Sequence, residues 1–594
     1  MIYYFASSLT KRKRHSFMAI KLSFLGGNNY SRIGANTHLY EEIRNGQVNN
    51  RFLIDFGALF FNDGSKDLKI MPDIIKYLDY CPTKKERGNP LFKYFRKEKE
   101  KLALLEKHTS LDAIFLTHIH EDHIGGLVQL LKAGFLLPPI FASKETLAVL
   151  GRLLIEQNVP ELPELIPING QVHLNKGLII TPFQVSHTAV GSFGYHILNK
   201  DADGNETGIL EMGDYNFSDT LLSEKTPLPD FLKDKVVFAV LLDSTSTSNE
   251  TISPLSFQTA TQNYASCMKN HDGRIISATI SRSLENMASI LTAAKETGRK
   301  VFIDGFMQRL VYDELQKQNK LDLFAGTVFN HDEVSKADIK TFLSATPFNK
   351  QVIILSGAFA EGFTHKGNTH QAGLVRLANG SHTGFKVSPS DLILLGQRAI
   401  PVEGILEDMQ KMAQKLGALN NNKVIQNETA SAFSLGNFKM IPLQRTGHAT
   451  KEETKELVNL ILKARTNKEE PLTLLPVHGD EKQLEATKNI GKELGVQTVI
   501  LMNNESVTLE NGSIIKAPDT PAPYYLCIQE EENTGKTNTF FKLFLSEFKK
   551  EENGKISFIP KEMLLNKSLE VIENKEKNKL IHFQRLALQK RERC

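Results

Sequence analysis

Three histidines and an aspartate crowd into six positions in the run His118-Ile-His120-Glu-Asp122-His123-Ile-Gly-Gly126. Neutral imidazole and carboxylate are the ligand types that suit zinc-like ions. Four such groups cannot all serve one tetrahedral ion comfortably, but they can supply two adjacent ions if other residues help. Candidates for that help recur at one kind of place in the chain. His187 (FQVSH), Asp214 (LEMGD), His478 (TLLPVHGD) and Asp55 (FLIDFG) each end an apolar run that leads into a turn. One such residue alone is more often a cap or a turn residue. Their repetition, with the dense His/Asp run, points to a metal site rather than a polar turn with incidental histidines.

The elements that would carry these groups are strands ending in turns. From Met18 the pattern is β-rich, with AIKLSFLGG, THLYEEI and NRFLIDFGALFF split by Gly, Asn and Ser. Residues 62–110 read as a polar insertion, a loop and a charged helix containing KKERGNPLFKYFRKEKEK (84–101). LDAIFLT (111–117) is a strand running into the histidine cluster, followed by the helical pattern LVQLLKAG. GLIITPFQVSH, GYHILNK and TGILEMGDY are further strands. The grammar then changes: VVFAVLLDST, RIISATIS, RKVFIDGF, KQVIILSGAF and DLILLGQ are short, fully apolar runs alternating with helical stretches, which predicts a parallel-sheet α/β unit. FKMIPLQ, LTLLPVHG and VQTVILM return to the earlier style. PDTPAP (518–523) reads as a linker to a Lys/Glu-rich tail with a basic helical end. The expected division is an extension at 1–17, a first domain at 18–242 completed by 441–515, an inserted unit at 243–440, and a small C-terminal region at 516–594.

Composition narrows the function classes. The 594 residues are 41% hydrophobic and 24% charged, ordinary for a globular chain of about four units. Cys81, Cys267, Cys527 and Cys594 are far apart with no CxxC pair, which argues against a disulfide scaffold or thiolate zinc and for a reducing, cytoplasmic setting. No apolar run approaches the roughly 20 residues of a membrane span, so no membrane partner is expected. Lys and Arg number 72 against 68 Asp and Glu, a net charge of +4. The distribution matters more than the total. Residues 1–17 carry +4, while 84–101 and 574–594 carry +5 each, leaving −10 for the rest. This reads as an acidic, metal-binding body with basic arms suited to phosphate.

The combination THxHEDHIGG, DFG, SH, GDY and LPVHGD resembles the metallo-β-lactamase fold. The α/β unit before PVHGD resembles the β-CASP insertion of its nucleic-acid-processing branch. LTHIHEDHIGGL, RLANGSHTGFKVSPSDLILL and RTGHATKEE…LLPVHGD most resemble the bacterial ribonuclease J family, over about residues 18–510. The resemblance implies an αββα sandwich of class α/β with an inserted parallel-sheet β-CASP domain. It further implies two Zn²⁺ ions per chain, with Mn²⁺ or Mg²⁺ as substitutes: His118, His120 and His187 on one, Asp122, His123 and His478 on the other, and Asp214 on both. Asp55 would orient the histidines from behind. Asp243, His448 and His478 match the three β-CASP motif positions. Histidine at the third is typical of RNA-acting members, whereas DNA-acting relatives tend to valine. Ser281, Arg282 and Thr450 are the expected substrate contacts.

Such a site would activate a water for in-line attack on phosphorus, with His448, paired to Asp243, as proton donor to the leaving 3′-oxygen. The implied activity is RNA phosphodiester hydrolysis, exonucleolytic from the 5′ end, endonucleolytic or both, leaving 5′-phosphate and 3′-hydroxyl. RNA is the implied partner, with assembly into a dimer or tetramer and association with RNA-processing proteins. Competing readings are a small-molecule hydrolase of the same fold, a DNA nuclease and a non-catalytic RNA-binding subunit. The chain departs from the family in two loops, LSGAFAEGF (355–363) and LGQRAIPVEG (395–404), in the turn GGNNYSRIGAN (26–36), and in its tail. His365 and His370 are read as belonging to a cap loop that meets RNA, and His382 as structural.

Overall fold

In the computed structural model of the chain, the structure describes residues 18–569. Omitted are 29–33, 63–66, 73, 81–89, 106–107, 158, 160, 176, 202, 223–224, 249–254, 330–338, 361, 366–367, 398–404, 429–433, 511, 518–524, 533–538 and 551–555. The extension 1–17, the PDTPAP linker and the basic tail at 574–594 lie outside the described residues.

Two sheets form a sandwich. The first has eight strands, in the spatial order 165–167, 140–142, 113–115, 47–54, 34–44, 18–27, 506–510 and 513–516. The second has seven, in the order 172–173, 178–184, 193–200, 206–211, 239–243, 473–477 and 497–498. Apolar residues on the two inner faces interlock: Phe24, Tyr40, Phe52 and Phe115 from one sheet and Tyr195, Ile197, Leu241 and Leu475 from the other share one buried cluster. Helices cover the outer faces. Leu127, Leu130, Leu150 and Leu154 belong to the cluster packed on the first sheet, and Leu457, Val458 and Ile461 to the one on the second. This is the αββα layering expected from the sequence.

Between the strands 239–243 and 473–477, which pair in parallel, the chain leaves the sandwich and builds a six-stranded, all-parallel sheet. Its order is 300–303, 351–355, 275–278, 392–395, 424–427 and 439–441. The strands are nearly all apolar because both faces are covered by helices. The helix Leu284–Glu296 joins this unit to the sandwich: Met287, Ala288 and Leu291 belong to the same buried cluster as Leu127 and Leu130.

Two regions differ from the sequence reading. FKMIPLQ is the edge strand of the parallel sheet, Lys439–Ile441 beside Val424–Asn427, rather than a return to the sandwich. The C-terminal region is β-structure. Tyr525–Glu532, Thr539–Lys550 and Ile556–Leu569 form antiparallel neighbours, and the first pairs with Asp67–Pro72 of the insertion. The charged helix of that insertion is Pro90–Leu105.

Candidate metal centre

The strands bring their carboxyl ends to one edge of the sandwich. From the first sheet, strand 47–54 delivers Asp55, and strand 113–115 delivers the turn that carries His118 and His120. His120 is the N-cap of the helix Glu121–Ala133, so Glu121, Asp122 and His123 occupy its first turn, where the helix dipole favours carboxylates. From the second sheet, strand 178–184 leads to His187, 206–211 to Asp214, 239–243 ends on Asp243, and 473–477 leads to His478. His448 precedes the helix Lys451–Ala464.

Close packing of two turns holds the edge together. Phe56 N–H donates to His123 O at 2.8 Å and Gly126 N–H to Phe56 O at 3.0 Å. A Cβ on Gly57 would sit 1.7 Å from the Asp122 carbonyl oxygen, and one on Gly447 would lie 2.6 Å from the His187 ring. Glycine is required at both positions for the approach. Asp55 and His478 are held at φ +59° and +58°, a conformation that costs energy in a non-glycine residue and concentrates at functional sites.

Every histidine of the cluster has one ring nitrogen partnered outward and one turned inward. His123 Nδ1 donates to Asp55 Oδ2 at 2.6 Å, and Asp55 also accepts from Thr117 N–H and Oγ1 at 2.8 and 2.7 Å. His118 Nδ1 meets Thr117 Oγ1 at 3.0 Å. His187 Nδ1 donates to the Gly447 carbonyl at 2.7 Å. His120 turns Nε2 to Ser283 Oγ at 3.4 Å, and His478 Nδ1 meets Thr245 Oγ1. The inward atoms converge. His118 Nε2 and His187 Nε2 lie 3.0 and 3.2 Å from His120 Nδ1, and 3.7 and 3.9 Å from Asp214 Oδ2. His478 Nε2 lies 2.9 Å from Asp122 Oδ2, and His123 Nε2 3.7 Å from that oxygen and 3.3 Å from Asp214 Oδ2. Two donor sets result, His118–His120–His187–Asp214 and Asp122–His123–His478. His123 Nε2 also meets Asn36 Nδ2 at 3.0 Å. Outward hydrogen bonds that orient each ring, with the second nitrogens converging on Asp122 and Asp214, suit a divalent-metal site.

Electrostatics separate the two sets. Burial and the neighbouring imidazoles hold His118 well below the ordinary histidine pKa. His120 is also held well below it, mainly by burial and His187, and burial brings His187 down to about 4. In the other set burial also opposes charge but is outweighed. Asp214, Asp55 and Asp122 push His123 well above the ordinary value, and Asp214 and Asp122 lead the rise of His478. Asp214 itself lies well below the carboxylate range because His478, His123 and His448 overcome its burial.

His448 sits beside this set. Its Nδ1 donates to Asp243 Oδ2 at 2.7 Å, and Asp243 and Asp214 raise its pKa to about 9 against burial. Its side chain is 23% exposed, against 0% for Asp243 and 3% for Asp214. A third donor grouping joins Asp214, Asp243, His448 and His478, but Asp243 already occupies His448 Nδ1.

Two of the three expected substrate contacts, Thr450 and Arg282, have partners within the protein. Thr450 caps the helix Lys451–Ala464 in a reciprocal box with Glu453. Arg282 donates to Ile119 O at 3.0 Å and pairs with Glu121 at 2.6 Å, which ties the parallel-sheet unit to the histidine turn. Ser281, half-buried, adjoins it in the same loop. The sequence reading missed Ser283 and Glu285. Ser283 Oγ also meets Thr188 Oγ1 at 3.1 Å. Buried Glu285 accepts from Leu221 and Leu222 N–H at 2.9 Å each. The first turn of Leu284–Glu296 is thus fastened to the loops that carry His120 and His187. The S-x-E spacing is visible in the sequence, but nothing local says that it faces another domain.

A sandwich with a His/Asp cluster at its sheet edge and an inserted parallel-sheet unit defines a metallo-β-lactamase-type α/β protein with a β-CASP domain. The β-lactamase superfamily domain matches residues 88–206, and the domain described as ribonuclease J, β-CASP matches residues 272–416. Within that class the chain is similar to ribonucleases J. It is 25% identical to Ribonuclease J of Mycoplasma genitalium over 414 residues, 68% of this chain and 64% of the relative. It is 24% identical to Ribonuclease J2 of Bacillus subtilis over 433 residues, 71% and 68% of the two chains. The chain therefore spans about two thirds of the length of the curated relatives it matches. Among solved structures, a protein of unknown function from Enterococcus faecalis aligns at 16% identity and TM-score 0.48, over 83% of this chain and 100% of that one.

Proposed function

We propose that the chain is a zinc-dependent ribonuclease that hydrolyses RNA phosphodiester bonds and leaves 5′-phosphate and 3′-hydroxyl ends. The observation that carries this reading is the pair of donor sets on either side of Asp214, with the Asp243–His448 pair beside them and the β-CASP unit above. His118, His120, His187 and Asp214 would hold one ion, and Asp122, His123, His478 and Asp214 the second. The all-N/O donor set with no thiolate suits zinc, with manganese or magnesium as substitutes. Bound ions would supply an activated water and neutralise charge on the phosphate.

The chain's own residues do the rest. Asp243 fixes the His448 ring through Nδ1, so the ring presents Nε2–H outward. With its pKa raised to about 9, His448 keeps its proton at neutral pH and can deliver it to the departing 3′-oxygen. Thr245 donates to Asp243 Oδ1 at 2.7 Å, steadying the carboxylate. Arg282 and Ser283 would position the histidine turn beneath the β-CASP unit, leaving Ser281 of that loop for substrate.

The division into a sandwich (18–242 and 441–515), an inserted domain (243–440) and a C-terminal region (516–594) follows the same reading. A dimer or tetramer, RNA-processing partners and a cytoplasmic location rest on the resemblance to ribonuclease J. Among the described residues no helix is long and apolar enough to cross a membrane. The β-CASP unit argues against a hydrolase of small esters, His478 against a DNA nuclease, and the full donor set against a non-catalytic subunit. The test is incubation with RNAs labelled internally and at a 5′-monophosphate, triphosphate or hydroxyl end. Mononucleotide release or internal fragments support the reading. Intact RNA alongside hydrolysis of single-stranded DNA or a thioester refutes it.

A further inference from the structure

The parallel sheet carries a second polar cavity, apart from the metal cluster, of about 280 Å³. Phe302, Asp304, Arg309, Lys340, Arg376 and His382 line it. It opens where strand 300–303 ends, at the carboxyl edge of the sheet, the usual place for ligands in open α/β sheets. Strand 275–278, whose carboxyl end leads to Ser281–Ser283, is separated from strand 300–303 only by 351–355. Two strand spacings of about 4.8 Å put the two strand ends roughly 10 Å apart.

Two arginines of the lining, Arg309 and Arg376, are not used by its one carboxylate. Asp304, the one carboxylate among these residues, accepts from His382 Nε2 at 2.9 Å. His382 Nδ1 in turn accepts from Gly384 N–H at 3.2 Å, so this histidine is the neutral Nε2–H tautomer. Arg376 is half-buried, and its Nε is shielded from solvent without a hydrogen-bond partner. Arg309 is half-buried in the first turn of the helix Phe306–Gln316. Its charge is felt by Asp313 one turn on, but among the described residues neither arginine has an ion pair or a side-chain hydrogen bond. Two guanidiniums facing one cavity form a planar, multi-donor cradle for phosphate oxygens.

We propose that this cavity binds a backbone phosphate of the RNA strand, with Arg309 and Arg376 as its two donors, and so fixes the strand on the β-CASP unit upstream or downstream of the cut. The proposal rests on the ribonuclease reading. The test is fluorescence anisotropy of a labelled single-stranded oligoribonucleotide on the full chain in EDTA, across a sodium chloride series. For R309Q/R376Q the dissociation constant is expected to rise about tenfold, and the slope of log affinity against log salt to fall by roughly 1 to 2, one per lost phosphate contact. R376K, which keeps the charge, is expected to retain most of the affinity. Unchanged zinc content after metal reconstitution and an unchanged melting temperature would show that the fold is intact.

Affinity and slope within twofold of the parent in the double variant would overturn the proposal. So would loss of adenosine monophosphate or inorganic phosphate binding with RNA affinity intact, because the cavity would then serve a free nucleotide or ion. If the zinc-loaded parent neither binds nor cleaves RNA, the ribonuclease reading fails and takes this proposal with it. Normal parent binding that is indifferent to the two arginines sinks the proposal alone.

Discussion

The two donor sets lie on either side of Asp214 yet meet protons in opposite ways. His118, His120 and His187 crowd one another in a buried pocket, which holds all three below the ordinary histidine pKa and so neutral at neutral pH. His123 and His478 lie among Asp55, Asp122, Asp214 and Asp243, whose charge holds protons on them. An ion entering the first set displaces no proton from an imidazole, whereas one entering the second must. Burial alone therefore does not prepare a metal ligand. The balance of imidazole against carboxylate decides whether metal competes with protons.

The largest expected effect comes from removing Asp214, which both sets face. Asp214→Ala is expected to abolish bound metal at both sets and to lower RNA cleavage by at least about 10³-fold. His120→Ala is expected to empty the first set while the second keeps an ion, as read by zinc content. Retention of two ions in Asp214→Ala would break the comparison at its centre.

Next are the groups that handle the proton. His448→Ala or Asp243→Asn is expected to lower kcat by about 10²- to 10⁴-fold with metal retained. Acting as an acid, His448 should give activity that falls as pH rises through about 9. Asp243→Asn removes the leading cause of that raised value, so the alkaline limb should move to lower pH. An unmoved limb would mean that His448 is not the group titrating.

The comparison also predicts metal loss in two steps on acidification. His187, at about 4, takes protons only in strong acid, so the first set should hold its ion until then. His123 and His478 have raised values, so protons compete there from higher pH and the second set should empty first. Zinc content after dialysis at stepwise lower pH would show two plateaus, and a single transition would erase the distinction.

Smaller effects should come from residues that only orient ligands. Asp55→Asn or Ser283→Ala is expected to weaken metal binding by about 10- to 100-fold at most, Asp55 at the second set and Ser283 at the first. Thr450→Ala is expected to cost about 0.5–2 kcal/mol of stability and leave metal content unchanged.

These residues also show what could be read in advance. The run His118–His123 is local, and a ligand cluster within one turn is legible from spacing alone. Asp55, His187, Asp214 and His478 were legible as strand-end residues, because a sheet edge is where separate strands deliver side chains to one point. Thr450-x-x-Glu453 spells a capping box, and the structure shows that box at the start of Lys451–Ala464. Ser283 and Glu285 could not be found this way, since their partners lie across the joint between two units. The sequence reading gives the C-terminal strands only as part of a Lys/Glu-rich tail. Residues 539–550 and 556–569 are largely apolar strands interrupted by lysine and glutamate, and the sheet they join is anchored by the pairing of 525–529 with 68–72, more than 450 residues apart in sequence.

The most direct test of the central claim is a metal titration of RNA cleavage. Protein stripped of metal is titrated with zinc while hydrolysis of a labelled RNA is followed. Two ions working at these donor sets require no cleavage without metal and a rise that saturates at two equivalents per chain. Undiminished cleavage by the stripped protein, or none with both equivalents bound, would contradict it.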